Sequence, residues 1–518
     1  MIGRANTDVI VRTTTGDIDI AAGRDVSLLN RQAVAYTTGA PVPVASLAGW
    51  VRPQSTGSAY AVVGGTAQSP MLDGSGTVIV RAERDVLGAP AGPNARTQYA
   101  TQWWWRGDSA GTTNVVSWWS RYDKFRQGFG SLGGGDVQVS AGRDARNVQL
   151  AAGSSGYIVP TVSGTDPQVV RFGAGSASLQ ADRNVSGGLV VADGPRLRVS
   201  AGNDVEAGAR IVNEGSAYLQ VLHGNSMVDI DARSDSIVGR VAGLGLLPSA
   251  SQYTNTQDNG RLGFVLGGLA PDATLRAVAT SGDLRYASQS PQLNDIENTV
   301  SFQVPSVIPS RALIAAPAGA ANIDATLGQI PDDRAELLIA SRDSLRVARV
   351  VVKGVEPVAT TPGRYSPTAA VVPTFLFLNN ATPLQADGAE PVRLISAQGD
   401  VTLANGIQLA APVRVIAARD ILAEASRIDV QHQSDSVLSL FEAGRDINLP
   451  NTQSFGIKVH GPGDLVALAG RNVDLDTTAG FSAQGNRENS ALPATSAKIT
   501  IVPGVASGDW STAQTRYF

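Results

Sequence analysis

The residues best suited to chemistry in this chain are few and fall into four groups. The first is the tripeptide Arg106-Gly107-Asp108, an attachment signal of the kind integrins bind. Arg and Gly are common enough here for such a triplet to arise by chance. The second is a cluster of indoles. Five of the seven Trp are Trp103, Trp104, Trp105, Trp118 and Trp119, followed by Tyr122, Phe125 and Phe129. Indole faces stack on the apolar faces of sugar rings, which makes these Trp and Tyr122 candidate glycan contacts. The competing reading is a satellite core, because aromatic side chains bury large areas for stability. The third group is His223, His432 and His460, which lack HxxxH or HExxH spacing and so do not read as a zinc site. The "GGGD" beginning at Gly133 occurs once, without a nonapeptide period, and does not read as a calcium repeat. The fourth group is a set of short acids that recur inside one phrase.

That phrase appears as "GDIDIAAGRDVSLL" from Gly16, "GDVQVSAGRDARNV" from Gly135, "GPRLRVSAGNDVEA" from Gly194 and "GDLVALAGRNVDLD" from Gly463. Worn copies begin at Gly76, Gly175, Arg334, Pro412 and Asp435. Apolar residues alternate with polar ones, as in a half-buried strand, up to a small residue and then Gly-[Arg/Asn]-[Asp/Asn]. The physical reading is a corner. Gly23, Gly142, Gly202, Gly444 and Gly470 supply positive φ, the Arg points to solvent, and Asp25, Asp144, Asp204, Asp446 and Asn472 bond nearby backbone amides. Exchange of Asp for Asn suits a turn role better than catalysis. Asp85, Asn184, Asp343 and Asp420 complete nine such corners.

Six of the eight intervals between these corners are 20, 26, 40 or about 60 residues, where about 20 residues is the length of one solenoid coil. The expectation is an all-β chain, a parallel β-helix whose coils stack about 4.8 Å apart. Some 18 to 22 coils would span roughly 90 to 105 Å. The intervals near the N-terminus are either several plain coils or fewer coils with insertions. Composition fits: 518 residues, 56 Gly, 43% hydrophobic and only 17% charged. A net charge of −4 gives no footprint for nucleic acid. With no Cys, disulfides and thiolate sites are excluded. No run of about 18 apolar residues exists to form a transmembrane helix.

The pattern divides the chain. Residues 1–87 read as coils with an insertion near 37–75, residues 88–134 as an aromatic-rich insertion, and 135–235 as coils. Residues 236–333 read as irregular coils and insertions. Residues 334–518 read as coils with a Pro-rich excursion near 358–373. Insertions on a regular stem are where solenoids usually carry function.

The "AGRDV"/"AGNDV" corners, the run from Trp118 to Asp144 and the run from Glu488 to Trp510 together resemble the filamentous haemagglutinin-like exoproteins of bacterial two-partner secretion. The resemblance implies a right-handed parallel β-helix exported through an outer-membrane two-partner secretion pore. It implies work at the cell surface as an adhesin, with an unnamed host receptor or surface glycan as partner and no cofactor. The start at Met1 has no signal-peptide h-region and the ending "AQTRYF" reads as cut, so the expected object is an internal piece of a longer exoprotein or a truncated reading frame. The rival is a β-helix polysaccharide-degrading enzyme, or a glycan-binding module. An enzyme would need three or more charged side chains converging from neighbouring coils, away from the corners, in a concave site.

Overall fold

Each repeat of the phrase begins with an alternating run such as Val-Gln-Val-Ser-Ala. In the computed structural model of the chain these runs form strands with one buried face. The structure describes residues 9–30, 33–42, 62–63, 66–67, 71–88, 103–108, 116–120, 122, 125, 128–159, 168–208, 218–224, 226–243, 273–287, 306–329, 334–352, 390–424, 427–449, 456–476, 479–486 and 492–505. Fourteen runs, from Ile18–Ala22 to Lys498–Pro503, make one parallel sheet in chain order. A second parallel sheet of 24 strands carries the rest of the coils, two short strands in most and one long strand in those that begin at Met227, Arg311 and Glu336. The chain is a parallel β-helix.

The shortest coil displays the plan. Ala177–Ala181 runs to a corner at Asp182–Asn184, then Val185–Ser186, then Leu189–Ala192, and the next coil begins with Arg196–Ala201. Ala177 pairs with Leu197, 20 residues on. Inward side chains such as Val137, Val139, Leu179, Val199 and Ile230 are buried in one continuous core. At about 1.5–3 kcal/mol for each fully buried aliphatic side chain, this stack is what holds the coils together. Gly188, at φ +105, turns the chain between the second and third strands, a conformation L side chains rarely adopt.

Register settles the long intervals. Ile18 pairs with Val78, and Val78 with Val137, so each of the two N-terminal intervals is a single coil with an insertion. Among the described residues the stem therefore has fourteen coils and spans about 60 Å, fewer and shorter than the repeat length suggests. Part of the insertion near 37–75 is described: Ala40–Pro41 pairs antiparallel with Leu72–Asp73, and Val62–Val63 with Thr66–Ala67. Within 88–134, the strand Gly128–Ser131 already pairs in parallel with Ala33–Thr37, so the stem resumes at Gly128. The described parts of 236–333 are less irregular than their composition implies. Thr274–Ala279 and Arg311–Ala316 continue the fourteen-stranded sheet in register. The Pro-rich excursion near 358–373 lies outside the described residues.

Outside the stem, Trp104–Asp108, Val116–Ser120, Ser155–Val159 and Gln168–Phe172 form a four-stranded antiparallel sheet. It is fastened to the stem by aromatic packing and charge. Trp103 and Phe125 meet edge to face at 5.1 Å, and Phe125 meets Tyr36 of the stem at 5.6 Å. Gly130 makes room for this contact, since a Cβ there would stand 2.7 Å from the Phe125 ring. Arg171 pairs with the buried Asp193 at 2.8 Å.

Candidate functional site

Seven of the nine corner residues, Asp25, Asp85, Asp144, Asn184, Asp204, Asp420 and Asp446, accept a hydrogen bond from the main chain of the next coil. The Asp85 amide donates to Asp25 Oδ1 at 3.3 Å, the Asp144 amide to Asp85 at 3.2 Å, and the Asn184 amide to Asp144 at 3.3 Å. The same rung recurs between Asp204 and Asn184, Asp235 and Asp204, and Asp283 and Asp235. It returns between Asp420 and Asp400, Asp446 and Asp420, and Asn472 and Asp446. A side-chain oxygen is all the rung requires, which is why Asn184 serves as well as Asp.

The corner arginines likewise turn toward the previous coil. Arg143 donates to Asp85 through Nε at 3.1 Å and Nη2 at 2.5 Å, and Arg183 to Asp144 at 3.2 and 2.6 Å. Arg84 grips Asp25, Arg445 grips Asp420 and Arg471 grips Asp446. A forked guanidinium suits this carboxylate and a lysine does not, which gives the Arg-rich, Lys-poor composition a physical basis. Arg84 holds the Asp25 carboxyl below its usual range. For Asp144 burial opposes ionisation, but Arg183 and Arg146 outweigh it and the carboxyl is again held low. Asp420 is depressed in the same balance by Arg445 and the Asp446 amide.

The corner glycines also differ from expectation. None of Gly23, Gly142, Gly202, Gly444 and Gly470 is among the glycines with positive φ. Three are required by close approach instead. A Cβ on Gly142 would stand 2.2 Å from Glu83 O, on Gly202 2.1 Å from Asp182 O, and on Gly470 2.0 Å from Gly444 O. Gly23, in the first coil of the ladder, meets nothing nearer than 4.0 Å. The ladder also corrects one position. Leu345 pairs with Val401, which places Ser344 at the acceptor site in place of Asp343, and the Asp400 amide lies 3.4 Å from Ser344 Oγ. Asp343 pairs with its neighbour Arg342.

The aromatic candidates separate into two sets. Trp103 and Trp119 are buried, at 0% and 1% exposure, and belong to the satellite core rather than to an open platform. Tyr122 is half-buried. Trp104 and Trp105 lie in the strand Trp104–Asp108, and Trp118 lies in its antiparallel partner, opposite Arg106. Arg106, Gly107 and Asp108 occupy that same edge strand, with Gly107 opposite Ser117 and Asp108 opposite Val116. The tripeptide is thus part of a paired strand, not a loop.

Two buried polar groups without a sequence motif lie in the last coils. His460 Nε2 is 3.3 Å from Asp429 Oδ1, and Gln484 Nε2 is 2.9 Å from His460 Nδ1. Arg427 pairs with the other Asp429 oxygen. His432 Nε2 is 2.7 Å from Ser439 Oγ, and its Nδ1 is 2.7 Å from Pro462 O. These groups converge from neighbouring coils away from the corners, as an enzyme would require. Yet Asp429, His432, Ser439 and His460 are all buried and paired with one another, so the arrangement is closed to a substrate. Only the spacing of strands, not a phrase, could have brought His432 and Ser439 together in advance. Among the described residues no group of three His, Cys, Asp or Glu is placed to hold a metal ion, and no helix is long and apolar enough to cross a membrane. No family model, curated protein or solved structure matches the chain.

Proposed function

We propose that this chain is the shaft of a bacterial surface adhesin, exported as part of a two-partner secretion system. The stem supplies reach and stiffness, and the four-stranded side sheet is the element it presents. The observation that supports this reading is the combination of an unbroken fourteen-strand parallel stack with a separate antiparallel sheet fastened to its flank. Weak contacts made by such a sheet gain strength when many copies are displayed together. Within the side sheet, Trp104 and Trp118 are the glycan contacts, while Trp103 and Trp119, with Trp105 opposite Trp119, belong to the part that holds the sheet in place. Arg106-Gly107-Asp108 is a second attachment element on the same strand.

The test is a glycan array and a cell-attachment assay with the intact chain, Trp104→Ala/Trp118→Ala, and Asp108→Glu. Loss of glycan signal in the double variant, with retained fold by circular dichroism, supports the platform. Loss of attachment in Asp108→Glu alone assigns it to the tripeptide. Binding unchanged in both variants, or absent from the intact chain, retires the adhesive role of this sheet.

A further inference from the structure

His432 follows the strand Ile428–Gln431 and is fully buried, with every polar atom engaged. Its main-chain N–H donates to His460 O at 2.7 Å. Its carbonyl accepts from Asn486 Nδ2 at 3.0 Å, and the same amide group donates to Pro493 O at 3.1 Å. Pro462 O can only accept, so the hydrogen of the ring sits on Nδ1. Nε2 must then accept, and Ser439 donates its hydroxyl there while accepting the Val413 amide at 3.1 Å. The neutral ring thus joins Ser439, and through it Val413, to Pro462, while the main chain of the same residue joins His460 and Asn486.

We propose that His432 is an acid-sensitive latch for the C-terminal end of the stem: neutral, it ties these segments together, and protonated, it releases them. A proton arriving from solvent at Nε2 makes that atom a donor. Ser439 Oγ would then receive two N–H groups and have its own hydrogen left without an acceptor in a site closed to water. Among the described residues no carboxylate contacts the ring to offset the new charge. The charged or titratable groups around it are His460 on Ile457–His460, whose ring is committed to Asp429 and Gln484, and Asp464 on Asp464–Ala469, which acts only through space. The Ser439 strand and the segment after Gln484 present neutral Ser439 and Asn486. Burial accordingly holds the imidazole below its ordinary range.

The experiment uses the intact chain labelled on histidine alone, where three imidazoles give three resolvable signals. Their titration is followed by NMR beside amide hydrogen exchange from pH 7.5 to 4.5. The expected result is that His432 carries its hydrogen on Nδ1 at neutral pH and titrates below the ordinary range. Amides of Ile428–Gln431, Ile457–His460 and Phe481–Gln484 then lose at least tenfold protection in step with it, while Val137–Ala141 and Ala177–Ala181 keep theirs. In His432→Gln, which retains a donor and an acceptor but no titration, that loss is absent. A His432 signal titrating in the ordinary range, or titrating with no change in those amides, overturns the proposal. Equal acid sensitivity in His432→Gln also overturns it. Should that variant fail to fold, the wild-type titration and exchange decide alone.

Discussion

Replacing Asp144 by Ala is the sharpest test of the corner ladder. In the native protein Asp144 is 1% exposed and accepts the Asn184 amide, the Arg183 fork and Arg146 at 2.6 Å. The two arginine side chains are half exposed, at 50% and 54%, so water takes them up when the carboxylate is removed. Their share is small, in the range of about 0–1 kcal/mol typical of exposed pairs. The Asn184 amide is part-buried, and leaving such a donor unpaired costs about 1–3 kcal/mol. The expected loss for Asp144→Ala is therefore about 2–3 kcal/mol. Asp144→Asn keeps an acceptor oxygen, as Asn184 does toward the Asp204 amide at 3.3 Å, and is expected to lose only about 1 kcal/mol. Urea unfolding with unchanged slope, supported by exchange at Ala177–Ala181, measures both. Equal losses in the two variants would show that charge, not the amide rung, carries the corner, and a loss under about 0.5 kcal/mol in Asp144→Ala would refute the ladder itself.

Further outcomes follow from the same geometry. Gly142→Ala is expected to cost more than about 2 kcal/mol, because its Cβ would meet Glu83 O at 2.2 Å, whereas Gly23→Ala, in open space, should change the urea midpoint by under about 0.5 kcal/mol equivalent. His223 is fully buried, and burial lowers its pKa from 6.5 to about 4. The native state then binds fewer protons than the unfolded chain between those values. Stability is complete above about pH 6.5, falls by about 3 kcal/mol as pH drops to 4, and is flat below from this group. Urea titrations at pH 7 and pH 4 with wild type and His223→Gln isolate that share, and an identical pH dependence in both would contradict it. Trp103→Ala should cost about 3–5 kcal/mol of side-sheet stability, read as lost exchange protection in Ser155–Val159 with the stem intact.

Much of the stem is legible in the residues. Val137 and Val139 alternate with polar neighbours, and the Gly-Arg-Asp corner marks where each coil bends. What the phrase hides is the partner. A turn acid that bonds its own loop and one that bonds the next coil look alike in sequence, because both need only a short side-chain oxygen. The rungs at Asp235, Asp283 and Asp400 escape the phrase because Ser234, Gly282 and Gly399 stand where Arg is usual. Asp343 is misplaced by one because pairing of Leu345, not the local motif, fixes the register. The His432 network is invisible for the same reason: its members are brought together by coil stacking, from Val413 to Asn486.

The stacking itself is the claim on which all of this depends. Ser178 and Arg414 lie in one outward column, seven coil steps apart through Arg198, Asp229, Arg276, Leu313, Leu338 and Arg393. The chain has no native Cys, so Ser178→Cys/Arg414→Cys accepts two spin labels cleanly. A pulsed electron-electron distance centred at about 34 Å in a single narrow distribution is expected from coils rising about 4.8 Å each. A distance under about 25 Å, or a broad distribution with no dominant peak, would contradict the parallel β-helix.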